Sequence, residues 1–182
     1  MCKIPIRCII LLSMIDRMLI DSLSLKSRDF AVRWKDEIRN AEQLKHYQTL
    51  DDETLIERCR PCFPLLSRTL DRGLDRSLVG GFFVGVGKER LRDGFPVSEV
   101  IFALNVAQRV VIEFLMTEFA PDNPMRMYQS MGALTRIAEF FLLGSFYMTK
   151  GFLEETYTSL SRHHKVSEEV LRKYFRDDFF FK

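Results

Sequence analysis

The sequence predicts an all-α protein, folded as a single-domain helical bundle. Three observations carry that expectation. Apolar residues recur every three or four positions through almost the whole chain, and no stretch of strict alternation lies between hairpin turns. Proline, glycine and capping residues fall between these periodic segments, where helices stop and start. The apolar content leans on 16 Phe and 8 Met with a single Trp, side chains that suit helix-on-helix packing.

At 182 residues, 47% apolar and 29% charged, the chain can bury a real core and has no composition typical of disorder. Its 27 basic and 25 acidic residues leave a net charge of +2 without a basic block. That balance argues against nucleic acid as a partner. Near the N-terminus, Lys3 and Arg7 precede the apolar run from Ile9 to Ile15, which Asp16 and Arg17 cut short. The run is too short to span a membrane and no small-residue cleavage site follows it. A cytoplasmic protein without membrane attachment is therefore expected, with residues 1–17 as an N-terminal arm or start artefact and residues 18–182 as the folded domain.

The elements follow in order. Asp16 to Lys26 reads as a short helix. Ser27 is placed to cap a second, in which Phe30, Trp34, Ile38 and Ala41 share a face. Asp51 or Asp52 caps a helix carrying Leu55 and Ile56, which ends or kinks at Pro61 and resumes around Pro64 with Leu65, Leu66, Leu70 and Leu74. The glycine-rich stretch Gly80 to Gly87 is expected to be helical, with Gly81 and Gly85 allowing a second helix to approach closely. It ends in the polar turn Lys88 to Arg92, before the stop at Asp93-Gly94. Val97 to Phe119 is apolar on nearly every side, as the central helix of a bundle is. Met127, Met131, Leu134, Ala138, Phe141, Ser145, Met148 and Phe152 form a 4-3 seam along a long helix, which calls for a partner helix. Gly144 and Gly151 interrupt this seam as points of close packing or bending. A last helix is expected from Ser167, leading to an aromatic run that includes Phe179, Phe180 and Phe181, docked on the core or on another molecule.

Catalytic and metal chemistry find little support. Cys59-Arg60-Pro61-Cys62 has the C-x-x-C spacing of a thiol redox site, but nothing upstream reads as the strand that such a site needs. Redox chemistry through Cys59 and Cys62 therefore stands as an alternative to plain helical cysteines. Zinc would have to recruit Cys2 and Cys8 from the arm. Gly85-Val86-Gly87-Lys88-Glu89-Arg90 fails both the phosphate-loop and the dinucleotide patterns. The histidines His46, His163 and His164 have no evident catalytic partners. The adjacent carboxylates Glu154-Glu155, Glu168-Glu169 and Asp177-Asp178 lack the spacing of di-iron ligands. No enzyme activity, metal or cofactor is expected.

The residues Gly87-Lys88-Glu89-Arg90, Gly94-Phe95-Pro96-Val97-Ser98-Glu99-Val100, Ala103 and Arg109 resemble the N-terminal domain of the RsbT co-antagonist (RsbR-type) stress regulators. The resemblance spans roughly Phe30 to Phe119 and includes Trp34 and the apolar helix from Leu55 to Leu74. It implies a helical input module of stress signalling, in a group that includes globin-like folds without haem. In that family such modules precede an output segment, of which this sequence shows none, so the output is expected to pass through a separate protein.

The residues themselves suggest that Gly94 supplies a left-handed turn and that Arg90, Glu99 and Arg109 pair across it, as a structural network or a switch. If that network is buried, replacing Arg109 with Leu lowers the melting temperature by several degrees. The functional expectation is a homodimeric sensory or regulatory module that binds a protein partner, with contact surface at the Met127 seam or at Phe179, Phe180 and Phe181. The alternative from another class is a sensor of a small apolar ligand or of haem, with His46 as the iron ligand.

Overall fold

The computed structural model describes residues 13–118 and 124–162, together with Ser167 and Glu169. The described residues form an all-helical bundle. Helix α1 covers Ser13–Leu25, α2 Ser27–Asn40, α3 Lys45–Gln48, α4 Asp52–Cys59, α5 Cys62–Arg72, α6 Arg76–Arg92, α7 Val97–Glu118 and α8 Pro124–Ser161. Helix α1 thus begins inside the stretch read as an arm, and it packs on α5 with Leu19 and Leu23 fully buried. Phe179, Phe180, Phe181 and the helix expected beyond Ser167 lie outside the described residues.

Local chemistry sets the boundaries. Asp51 caps α4, its side chain accepting from the Thr54 backbone N–H at 2.8 Å. Asp75 caps α6 by accepting from the Ser77 and Leu78 N–H groups. Ser27, by contrast, is the first residue of α2, and the preceding Lys26 makes no side-chain cap. Pro61 separates α4 from α5, while Pro64 sits in the first turn of α5, where its missing N–H costs no helical bond. Gly94, at φ +82°, turns the chain from α6 into α7.

Helices α6, α7 and α8 run up, down and up, and the contact between the parallel pair α6 and α8 is the most extensive among the described residues. Close approach is made by glycines, at Gly144 and Gly151 of α8 as expected, but on α6 at Gly87 in place of Gly81 and Gly85. Gly81 and Gly85 are exposed, with nothing within 4 Å of a Cβ placed there. It is Gly87 and Gly151 that meet: a Cβ at Gly87 would overlap the carbonyl oxygen of Met148, and one at Gly151 would lie 2.7 Å from the Val84 Cα. At Gly144 a Cβ would lie 2.9 Å from the Phe83 ring. Positions 81 and 85 lie about 100° or more around the helix from 87, which turns them to solvent.

The remaining helices close over this unit. Trp34 Nε1 on α2 donates to the Ala103 carbonyl on α7 at 2.8 Å. Phe30 packs against Phe63 of α5 and edge-on to Phe114 of α7. Helix α7 buries Val100, Ala103, Leu104, Ala107, Val111 and Leu115 against its neighbours. Its length and composition alone would also suit a membrane crossing, but half of that stretch is buried inside the fold.

Candidate functional site

A small chamber with two arginines and two cysteines in its wall lies where α2, α3, α4, α5, α6 and α7 converge. Trp34, Tyr47, Arg58, Cys59, Cys62 and Arg90 contribute to its wall, with Met148 of α8 closing it, and the cavity measures about 50 Å³. Arg58 comes from the last turn of α4 and Arg90 from the last turn of α6. The turn after α6 supplies their shared carboxylate: Arg58 Nη2 donates to Asp93 Oδ2 at 2.6 Å, and Arg90 Nη1 lies 3.7 Å from the same oxygen. Arg90, only 4% exposed, also donates to Glu89 Oε1 at 2.9 Å.

Aromatic rings hold this cluster. The Arg58 guanidinium lies over the Phe95 ring at 5.3 Å from its centroid. Phe95 meets Tyr47 edge-on, and Tyr47 meets Trp34. Burial pushes the Tyr47 phenol up to about 12, against the opposing pull of the Arg90 and Arg58 charges. It is a neutral hydroxyl at any physiological pH. Arg58 Nη1 is buried and has no hydrogen-bond partner among the described residues.

The residues singled out in the sequence do not form one network. Arg90 belongs to the chamber, and Gly94 provides the turn. Glu99 instead anchors α3: its carboxylate accepts from the His46 backbone N–H at 2.9 Å and meets His46 Nδ1 at 2.7 Å. Arg109 pairs at the surface with Glu37 of α2 and with Glu113. Glu99 and Arg109 are ten residues apart on one helix, about 15 Å of rise, so no single pairing spans them. His46 is half-exposed, engaged by Glu99 and not part of the chamber wall. The haem alternative loses its ligand, and a chamber of about 50 Å³ has no room for a porphyrin.

Cys59 and Cys62 are both buried and free. Burial pushes the Cys62 thiol up to about 12, and burial together with Cys62 raises Cys59 well above its ordinary value. A redox thiol needs the opposite shift. Among the described residues, no group of three or more His, Cys, Asp or Glu side chains is placed to hold a metal ion.

A second feature lies on the outside of α8. The seam read from Met127 to Phe152 straddles a boundary: Phe141 and Met148 are buried, whereas Met127 and Met131 are exposed. One position further along, Tyr128, Gly132, Thr135, Glu139, Leu142, Phe146, Thr149 and Leu153 keep the same 4-3 spacing. This row faces outward, with Leu142 71% and Phe146 59% exposed. Leu142, Phe146 and Leu153 line an open groove of about 580 Å³, with Ile101 of α7 on its other side. Arg58, Asp93, Tyr47 and this outer row escaped sequence reading. The row was legible as a second 4-3 pattern, but Arg58 and Asp93, 35 positions apart, gave no local signal.

The family model described as the RsbT co-antagonist protein rsbRD N-terminal domain matches residues 28–166. Comparison with curated proteins and with solved structures finds no match. The motif residues within the matched span have architectural parts here: Gly87 at the helix crossing, Gly94 at the turn, and Ala103 accepting from Trp34.

Proposed function

Because the chain belongs to the RsbT co-antagonist protein rsbRD N-terminal domain family, a family of regulatory signalling domains, we propose that it is the helical input module of a stress-signalling regulator. It works in the cytoplasm as a homodimer and passes its signal through protein contacts. The observation that carries the reading is the outward row on α8, a regular heptad face on which no helix packs among the described residues. Isolated exposed apolar residues are ordinary, but a row in heptad register is what a helix offers to another helix.

The occupant that fits best is a second copy of the chain. An isologous contact requires a face complementary to itself. Glu139 and Lys150 flank the centre of the row evenly, about a midpoint between Gly144 and Ser145. Two copies of α8 laid antiparallel across that midpoint set Glu139 of each opposite Lys150 of the other, with Leu142 and Phe146 between them.

Analytical ultracentrifugation tests this directly. A dimer is expected for the native chain and a monomer with an unchanged helical spectrum for Phe146→Glu. Glu139→Lys should weaken the dimer, and adding Lys150→Glu should restore it. A native chain that is monomeric at every concentration, or a dimer indifferent to Phe146→Glu, overturns the proposed face.

A further inference from the structure

We propose that the buried chamber is a binding site for a small monovalent anion of the carboxylate type, taken by the free guanidinium edge of Arg58 beside the Tyr47 hydroxyl. The first reason is charge. Two guanidinium groups, Arg58 and Arg90, meet a single nearby shared carboxylate, Asp93. The other partner of Arg90, Glu89, is itself 58% exposed. Arg58 is 19% exposed and Arg90 buried, so on the chamber side Asp93 alone balances the two guanidinium groups, and an anion there would be favoured.

The second reason is the donor that remains. Arg58 Nη2 is spent on Asp93, while Nη1 is buried with no partner among the described residues. Buried donors are nearly always satisfied, so this one marks a place where something binds. A planar guanidinium edge is shaped for a planar carboxylate, and the neutral Tyr47 hydroxyl adds a second donor to the same wall.

Size and access narrow the ligand. The chamber is small, about 50 Å³, and so favours a compact occupant of a few non-hydrogen atoms. Formate, bicarbonate and acetate have that size. A longer apolar molecule, the ligand expected from composition, does not fit. An outer groove of about 520 Å³ shares Arg58, Phe82, Val86 and Arg90 with the chamber and leads to solvent. Its rim carboxylates do not present a bare negative barrier: Glu53 and Glu57 are held by Arg28, Glu57 also by Arg60, and Asp51 caps α4.

The chamber wall draws on every helix from α2 to α8, including Met148 on the inner side of the helix whose outer row carries the proposed contact. An occupant there touches the elements that a signal would have to move. Binding itself does not depend on dimerisation, so a monomer that binds the anion would remove only the dimer face.

Trp34 is the chain's only tryptophan and lines the chamber, which supplies the readout. The full chain is titrated with sodium formate, bicarbonate or acetate at constant ionic strength, with gluconate, too large for the chamber, as the balancing salt. A saturable change in Trp34 fluorescence and a rise in melting temperature are expected below about 50 mM of at least one small anion. Arg58→Met should abolish both responses, and Arg58→Lys, which keeps the charge but loses the planar edge, should weaken binding at least about tenfold. Should Arg58→Met not fold, Arg58→Lys carries the comparison. No saturable response in the native chain, as expected if water alone satisfies Arg58, overturns the proposal. Equal responses in native and variant chains also overturn it.

Discussion

Two glycines with the same chemistry have opposite consequences here, because a Cβ is decided by what lies beside it. At Gly87 and Gly151 the backbones of α6 and α8 occupy the space that a methyl group would fill. Replacing either with Ala should force the helices apart and cost about 2–4 kcal/mol in urea denaturation. Gly85 is helical, exposed and faces open space. Gly85→Ala should therefore stabilise the protein by about 0.5–1 kcal/mol, through helix propensity alone. A Gly87→Ala variant as stable as the native chain would show that α6 and α8 do not cross at this point.

At the scale of the element, α7 is joined to α2 in two unlike ways. Inside, Trp34 donates to the Ala103 carbonyl in a buried bond. Outside, Arg109 meets Glu37 with both side chains 40% exposed or more. Solvent and salt weaken the outer pair, so Arg109→Leu should cost less than about 1 kcal/mol. A drop of several degrees in melting temperature, the outcome expected of a buried network, would mean that Arg109 contributes more than its surface position allows. Helix α8 illustrates how narrow the margin is in reading a face. Moving one position along a helix rotates the reading by about 100°, enough to turn a buried row into an exposed one. The seam at Met127, Met131, Phe141 and Met148 lay on that boundary and drew members from both sides.

For the whole molecule, the buried neutral acids set a dependence on alkaline pH. The folded state raises Cys62 from 9.0 and Tyr47 from 10.0, each to about 12, and raises Cys59 as well. Raised values in the fold mean that the unfolded chain releases protons first. Stability contributed by these groups is thus complete below pH 9 and is lost as the pH climbs from 9 towards 12. Urea midpoints should fall progressively over that range, and less so in a Cys59→Ala, Cys62→Ala double variant. In the native state both thiols should also react slowly with a disulfide reagent at pH 8 and rapidly in urea. Fast native reaction would restore the redox alternative.

The helical class, most helix boundaries, the turn at Gly94 and the family were all legible in the sequence, because periodicity, caps and breakers act over a few neighbouring residues. The glycine crossing was only half legible. A run of glycines announces close packing, but which of them faces a neighbour depends on where the neighbour lies. Tertiary structure alone brought Arg58 to Asp93, set Tyr47 and Trp34 around them, and sent Glu99 and Arg109 to separate partners. These contacts join residues dozens of positions apart, where spacing carries no information. The burial that raises the two cysteine thiols, and that leaves Arg58 Nη1 without a partner among the described residues, is a property of the packed whole.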